Sequence, residues 1–85
     1  MDRQVCIQIG RRIRLLRWMS GVSQSALASA VGISPRILRS LEAGVAAPSS
    51  DLLSAIAEAQ SVPVSRYFDV SDAHAAPTRL TERLN

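Results

Sequence analysis

Three observations predict an all-α fold for this chain of 85 residues. Apolar residues recur three and four positions apart, as at Ile9, Ile13 and Leu16, which lines one face of a helix. Serines that start helices and glycines that stop them punctuate the pattern, as Ser23 and Gly32 do. No stretch alternates apolar and polar residues as a half-buried strand would, and no repeat or low-complexity tract appears. The expectation is a compact five-helix domain over residues 4–68 and a short C-terminal tail, 69–85. That tail is either flexible or holds a brief helix around Leu80 and Leu84.

The elements follow in order. A first helix is expected from Gln4 to Met19, with Gly21 taking the positive-φ position at its end. Ser23 caps the second helix, whose inner face carries Leu27, Ala28 and Val31 until Gly32 breaks it. Ser34 followed by Pro35 is a strong start for the third, since proline fits the first helical turn and Ser is a good cap. Leu38 and Leu41 turn inward from it, and Gly44 ends it, so that it covers Pro35 to Ala43. "VAAPSS" connects to a fourth helix, capped by Ser49 or Ser50, with Leu53, Ile56 and Ala57 on its inner side. Asp51 lies in its first turn, where a negative charge suits the helix dipole. A last short helix is expected over Val64 to Phe68.

Composition narrows the function classes. Hydrophobic residues at 47% and charged residues at 20% fit a folded soluble domain and exclude a disordered one. No apolar run approaches the roughly 20 residues that span a bilayer, and the start lacks the apolar core of a secretory signal. Cys6 is the single cysteine, so no internal disulfide forms and a cytoplasmic setting is the expectation. Neither catalysis nor a metal or cofactor is expected. The one histidine, His74, sits in the tail, and no paired carboxylates, metal-spaced ligands or phosphate-cradling glycine loop appear.

The charge is unevenly placed. All ten basic residues are arginines. Residues 1–40 hold seven of them against one acid, whereas 41–85 hold three against six acids. One electropositive side is therefore expected, of the kind that attracts a polyphosphate.

The run "IGRRIRLLR…GVSQSALASAVGIS…LRSLEAG…PS…LLSAIA" resembles the lambda-repressor-like helix-turn-helix family, the Cro/C1-type or XRE regulators. The likeness covers roughly Ile9 to Phe68 and combines Ser-Gln at a helix start, Leu-Ala, a glycine turn and a later Glu-x-Gly. It implies a DNA-binding transcriptional regulator, in the first instance a repressor. The third helix would lie in the major groove of double-stranded DNA. By the same resemblance Pro35, Arg36 and Ser40 are base-contacting, with Arg39 able to reach a second base or a phosphate. Gln24 and Ser34 are backbone-contacting, and Arg17 and Glu42 form a structural ion pair that orients the recognition helix. Arginine suits base reading because its guanidinium can grip guanine O6 and N7 together. A homodimer on a palindromic operator is implied as well, since a single domain reads only a few base pairs.

The chain also departs from that pattern. The connector Val45 to Ser50 has no basic residue, so contact there would fall to Ser49, Ser50 and backbone N–H groups. Affinity would then lean on Arg11, Arg12 and Arg14, with Arg12 as a backbone-contacting candidate. Gln60 stands where an apolar residue is usual and Ser61 where glycine is common, which puts the packing at that corner in question. Ile37 either meets a thymine methyl or closes the core edge. Trp18, beside Leu15 and Met19, has the core edge as its default place, with the tail or a protein partner as alternatives.

Two rival readings remain. An antitoxin-type protein would bind a partner protein through the tail or the Trp18 patch and autoregulate its operon. A basic amphipathic membrane helix is suggested by "IQIGRRIRLLRWM" alone, but a globular core needs that helix's apolar face.

Overall fold

The computed structural model describes residues 2–68. These form four α-helices: α1 (Arg3–Met19), α2 (Gln24–Val31), α3 (Pro35–Glu42) and α4 (Ser50–Gln60). The expected fifth helix, Val64–Phe68, is a 3-10 helix instead. The all-helical reading therefore holds, with the count corrected to four α-helices and one 3-10 turn. Pro63 immediately precedes it and its carbonyl accepts from the Arg66 N–H in the tighter 3-10 pattern. α1 begins one residue earlier than expected because Asp2 caps it, its carboxylate accepting from the Val5 N–H at 2.9 Å. α3 ends at Glu42, with Ala43 as its C-cap. The expected tail, 69–85, lies outside the described residues.

One device opens every α-helix and one closes it. Asp2, Ser23, Ser34 and Ser49 each accept from the backbone N–H three residues on, satisfying one otherwise orphaned donor apiece. At the other end, the N–H groups of Val22, Ile33, Val45 and Val62 reach back to the carbonyls of Arg17, Ala28, Ser40 and Ala57. The residue before each is left-handed: Gly21, Gly32, Gly44 and Ser61. Ser61 reaches φ +59° with a side chain in place.

The core is one cluster. Ile9 and Ile13 from α1, Leu27 and Ala28 from α2, and Leu38 and Leu41 from α3 meet Leu53, Ile56 and Ala57 of α4, with Tyr67 closing it from the 3-10 helix. Ala28 has no exposed surface at the α2–α3 corner, which is why a small residue stands there. α1 crosses the C-terminal end of α3 at Gly10. A Cβ on Gly10 would stand 2.3 Å from the Leu41 carbonyl oxygen and 2.7 Å from that of Glu42. Gly44 is constrained twice, by φ +78° and by Ile7, whose Cγ1 would lie 2.8 Å from a Cβ.

The corner placed in question by the sequence is hydrogen-bonded. The Gln60 amide donates to the Ile13 carbonyl at 3.0 Å, and the Tyr67 hydroxyl donates to Gln60 Oε1 at 2.6 Å. An amide replaces an apolar residue here because it joins α1, α4 and the 3-10 helix while satisfying the buried phenol. Among the described residues no helix is long and apolar enough to cross a membrane.

Candidate nucleic-acid interface

α3 is the most strongly sided helix of the fold. Leu38, Leu41 and Glu42 are buried, while Pro35, Arg36, Ile37 and Arg39 are exposed and Ser40 is half-buried. Arg36 and Ser40 stand one turn apart and share a face, with Arg39 one turn beyond Arg36 on its flank. Ile37 is 46% exposed, so it does not close the core edge.

What fixes α3 is a buried polar junction. Arg17 of α1 donates to Glu42 from Nε at 2.7 Å and from NH2 at 2.9 Å, and NH1 donates to the Val22 carbonyl at 3.0 Å. Both charges are buried, Arg17 9% and Glu42 6% exposed. The hydrogen bonds from the guanidinium to Glu42 raise the Arg17 pKa above its ordinary value, against the opposing effect of burial. Gln24, first residue of α2, donates from Nε2 to Glu42 Oε1 at 3.0 Å. One carboxylate thus collects three N–H groups from α1 and α2, which holds the end of α3 against both. Sequence reasoning paired Arg17 with Glu42 but missed Gln24 as the third member. Its amide keeps a second hydrogen for another acceptor.

The capping serines also keep a donor. Ser34 and Ser49 use an oxygen lone pair on the helix N–H, at 3.1 Å in each case, and the hydroxyl proton stays available. Ser50 is exposed in the first turn of α4.

The α1 arginines separate. Arg12 is half-buried, and its NH1 lies 3.4 Å from the Arg66 carbonyl, on the side of the 3-10 helix. Arg14 lies over the ring of Trp18, its guanidinium carbon 4.5 Å from the centroid. Trp18 is 59% exposed, which overturns its default place at the core edge. Arg14, Trp18, Gln24 and Arg39 line one cleft of about 410 Å³, together with the buried Arg17 and Glu42. Nothing in the sequence signalled that Trp18 lines this cleft. Among the described residues no cluster of three or more His, Cys, Asp or Glu could hold a metal.

Known proteins resemble this chain in sequence and fold. The helix-turn-helix family HTH_3 matches residues 12–71. An uncharacterized HTH-type transcriptional regulator of Sinorhizobium medicae (strain WSM419) is 36% identical over 63 residues, 74% of this chain and 45% of its own. A counterpart in Rhizobium meliloti (strain 1021) matches equally. The chain therefore spans less than half the length of these curated relatives. Among solved structures, the clp gene regulator ClgR from Corynebacterium glutamicum superposes with a TM-score of 0.76. It is 29% identical, over 94% of this chain and 85% of that one. The restriction-modification controller protein C.AhdI from Aeromonas hydrophila gives a TM-score of 0.71 and 27% identity, over 74% of this chain and 96% of that one. With the capped α2–α3 corner, the buried junction under α3 and a matching stretch of well over half its length, the chain belongs to the HTH_3 helix-turn-helix family.

Proposed function

We propose that this chain is a sequence-specific double-stranded DNA-binding transcriptional regulator, a repressor in the first instance, that reads the major groove with α3. The observation that carries the reading is the exposed edge of α3, where Arg36 stands clear of the fold on a helix held rigidly from beneath by Glu42. A guanidinium so placed can grip guanine O6 and N7 in two parallel hydrogen bonds, a pairing worth about 1–3 kcal/mol of discrimination. Pro35 and Ser40 flank it. Gln24, Ser34 and Ser49 each retain a donor hydrogen for a phosphate, and Ser50 and the first N–H groups of α4 add to them. Arg12 is the weakest of the backbone candidates, since its guanidinium leans on the 3-10 helix.

A homodimer on a palindromic site belongs to the same proposal, because one such helix covers only a few base pairs. The antitoxin-type alternative has a separate support in Leu15 and Met19, 53% and 73% exposed beside Trp18, an apolar stripe suited to a protein partner. Selection of bound sequences from a random duplex pool tests the proposal. A palindromic motif is the expected result, and a pool that shows no enrichment would overturn it.

A further inference from the structure

We propose that the cavity between the ends of α1 and α4 binds a small neutral molecule that presents a carbonyl oxygen beside a short apolar body. The site is separate from the DNA-binding surface and does not depend on that reading. Three observations converge on it.

The first is the cavity itself. Its lining runs from the buried Arg17 and Leu27, through the half-buried Val22, to the exposed Ser20, Ala59 and Ser61. A solute can therefore enter from solvent and meet buried groups. The volume, about 230 Å³, is roughly that of seven or eight liquid waters and lies below that of a pocket for a drug-sized ligand. Val22, Leu27 and Ala59 give part of the wall an apolar character, which a few carbons cover better than water does.

The second is a buried donor with hydrogens to spare. Arg17 donates to Glu42 from Nε and one terminal nitrogen, and to the Val22 carbonyl from the other. One hydrogen on each terminal nitrogen is left over, and no acceptor among the described residues meets either. The residue is 9% exposed, and a buried donor without an acceptor is costly. An oxygen in the cavity removes that cost. Glu42 already balances the charge of Arg17, and no other titratable group lines the cavity, so the site needs an acceptor rather than a counter-ion.

The third is Ser61. It is the one non-glycine residue with a positive φ among those described, at the position that Gly21, Gly32 and Gly44 take after the other helices. Glycine would hold this conformation without strain. The strained side chain lines the cavity, together with Ser20 from the end of α1, and neither hydroxyl bonds to another described residue. Strain kept where a side chain meets a cavity points to use of that side chain. Occupancy also reaches α3, because the guanidinium that lines the cavity is the one that holds Glu42.

The test follows the backbone amide and arginine Nε–H resonances of the isotope-labelled full chain during titration with isobutyramide, isobutyrate or inorganic phosphate. Isobutyramide should shift the amides of Ser20, Val22, Ala59 and Ser61 together with the Arg17 Nε–H, saturating with a dissociation constant of about 1–10 mM. Isobutyrate should bind more weakly, and phosphate should leave these resonances unmoved. Ala59→Leu fills the cavity from an exposed helical position and should abolish the shifts at an unchanged unfolding midpoint. Ser61→Gly relieves the strain yet should weaken isobutyramide by about 3- to 10-fold, the loss of one hydrogen bond. Shifts that rise linearly with isobutyramide, or that survive Ala59→Leu unchanged, would overturn the site. Wild-type affinity in Ser61→Gly would overturn the part given to the strained hydroxyl. Tighter binding of isobutyrate or phosphate would overturn the neutral ligand and assign the cavity to an anion. The readout contains no DNA, so failure of the DNA-binding reading leaves each of these outcomes decisive.

Discussion

Arg17 and Glu42 meet through two parallel N–H donors, at 2.7 and 2.9 Å, across the junction of α1 and α3. Burying an ion pair carries a desolvation cost comparable to its attraction, so the pair's value lies in fixing where α3 points. Removing one partner is different, because it leaves the other charged and buried. Glu42→Ala is expected to cost about 3–5 kcal/mol, which lowers the thermal midpoint of so small a domain by about 12 °C or more. Replacing both residues with Met and Leu should cost less than Glu42→Ala alone. A double variant as unstable as the single would show that the loss came from packing.

Arg36→Ala should weaken the selected duplex far more than random DNA. A bidentate contact to guanine predicts a loss of about 1–3 kcal/mol confined to the specific site. Equal losses on both duplexes, measured by anisotropy at matched salt, would reduce Arg36 to a phosphate contact.

Ser61 holds φ +59° at the end of α4, in a region that penalises a Cβ. Ser61→Gly should therefore stabilise the domain by about 0.5–1 kcal/mol. A higher urea midpoint at unchanged slope is the expected signature, and a lower midpoint would contradict it.

Gly10 is the opposite case, since its φ is ordinary for a helix and space alone demands it. A methyl there would strike two backbone carbonyls of α3 that cannot swing aside. Gly10→Ala should cost about 2–3 kcal/mol, although alanine is the better helix former. Calorimetry on the pair of proteins decides the sign.

Tyr67 gives a pH dependence with a clear window. Burial pushes its phenol up to about 12, whereas an unfolded tyrosine ionises near 10. The fold therefore favours the protonated form, and its contribution is complete below pH 10. It declines as the pH rises through 10 toward 12, because the unfolded chain releases the proton first. The chain contains no lysine and one tyrosine, so no other side chain type normally titrates in that interval. Tyr67→Phe should flatten the alkaline fall in the unfolding midpoint, and an unchanged fall would assign it elsewhere.

Much of the fold was legible because its punctuation is local. Ser34-Pro35, Ser23 and Gly32 act on backbone groups three or four residues away, so their effect can be read from neighbours in the chain. Gly10 could not be read this way. A glycine inside a helix says nothing about what crosses it, and Leu41 is 31 positions later in the chain. Gln60 looked like a departure because its partners, Ile13 and Tyr67, come from two other elements. The 3-10 geometry of Val64–Phe68 was hidden for a related reason: five residues fit either kind of helix until a preceding proline and a buried ring settle the spacing. On α3 the candidate residues came from the family resemblance, and helical periodicity added that Arg36 and Ser40 share a face. Trp18 was not legible, because an aromatic residue beside a core stripe carries no mark of whether a guanidinium or a core will cover it.

The clasp of Gln24 on Glu42 ties the first residue of α2 to the last of α3, while Ala28 and Gly32 fix the corner where the two helices meet. Two helices joined at a corner and latched at their far ends cannot scissor. In the proposed complex the protein then behaves as a rigid template, and accommodation passes to the duplex. Operators whose untouched steps bend or narrow easily would be preferred over stiffer ones carrying the same guanines.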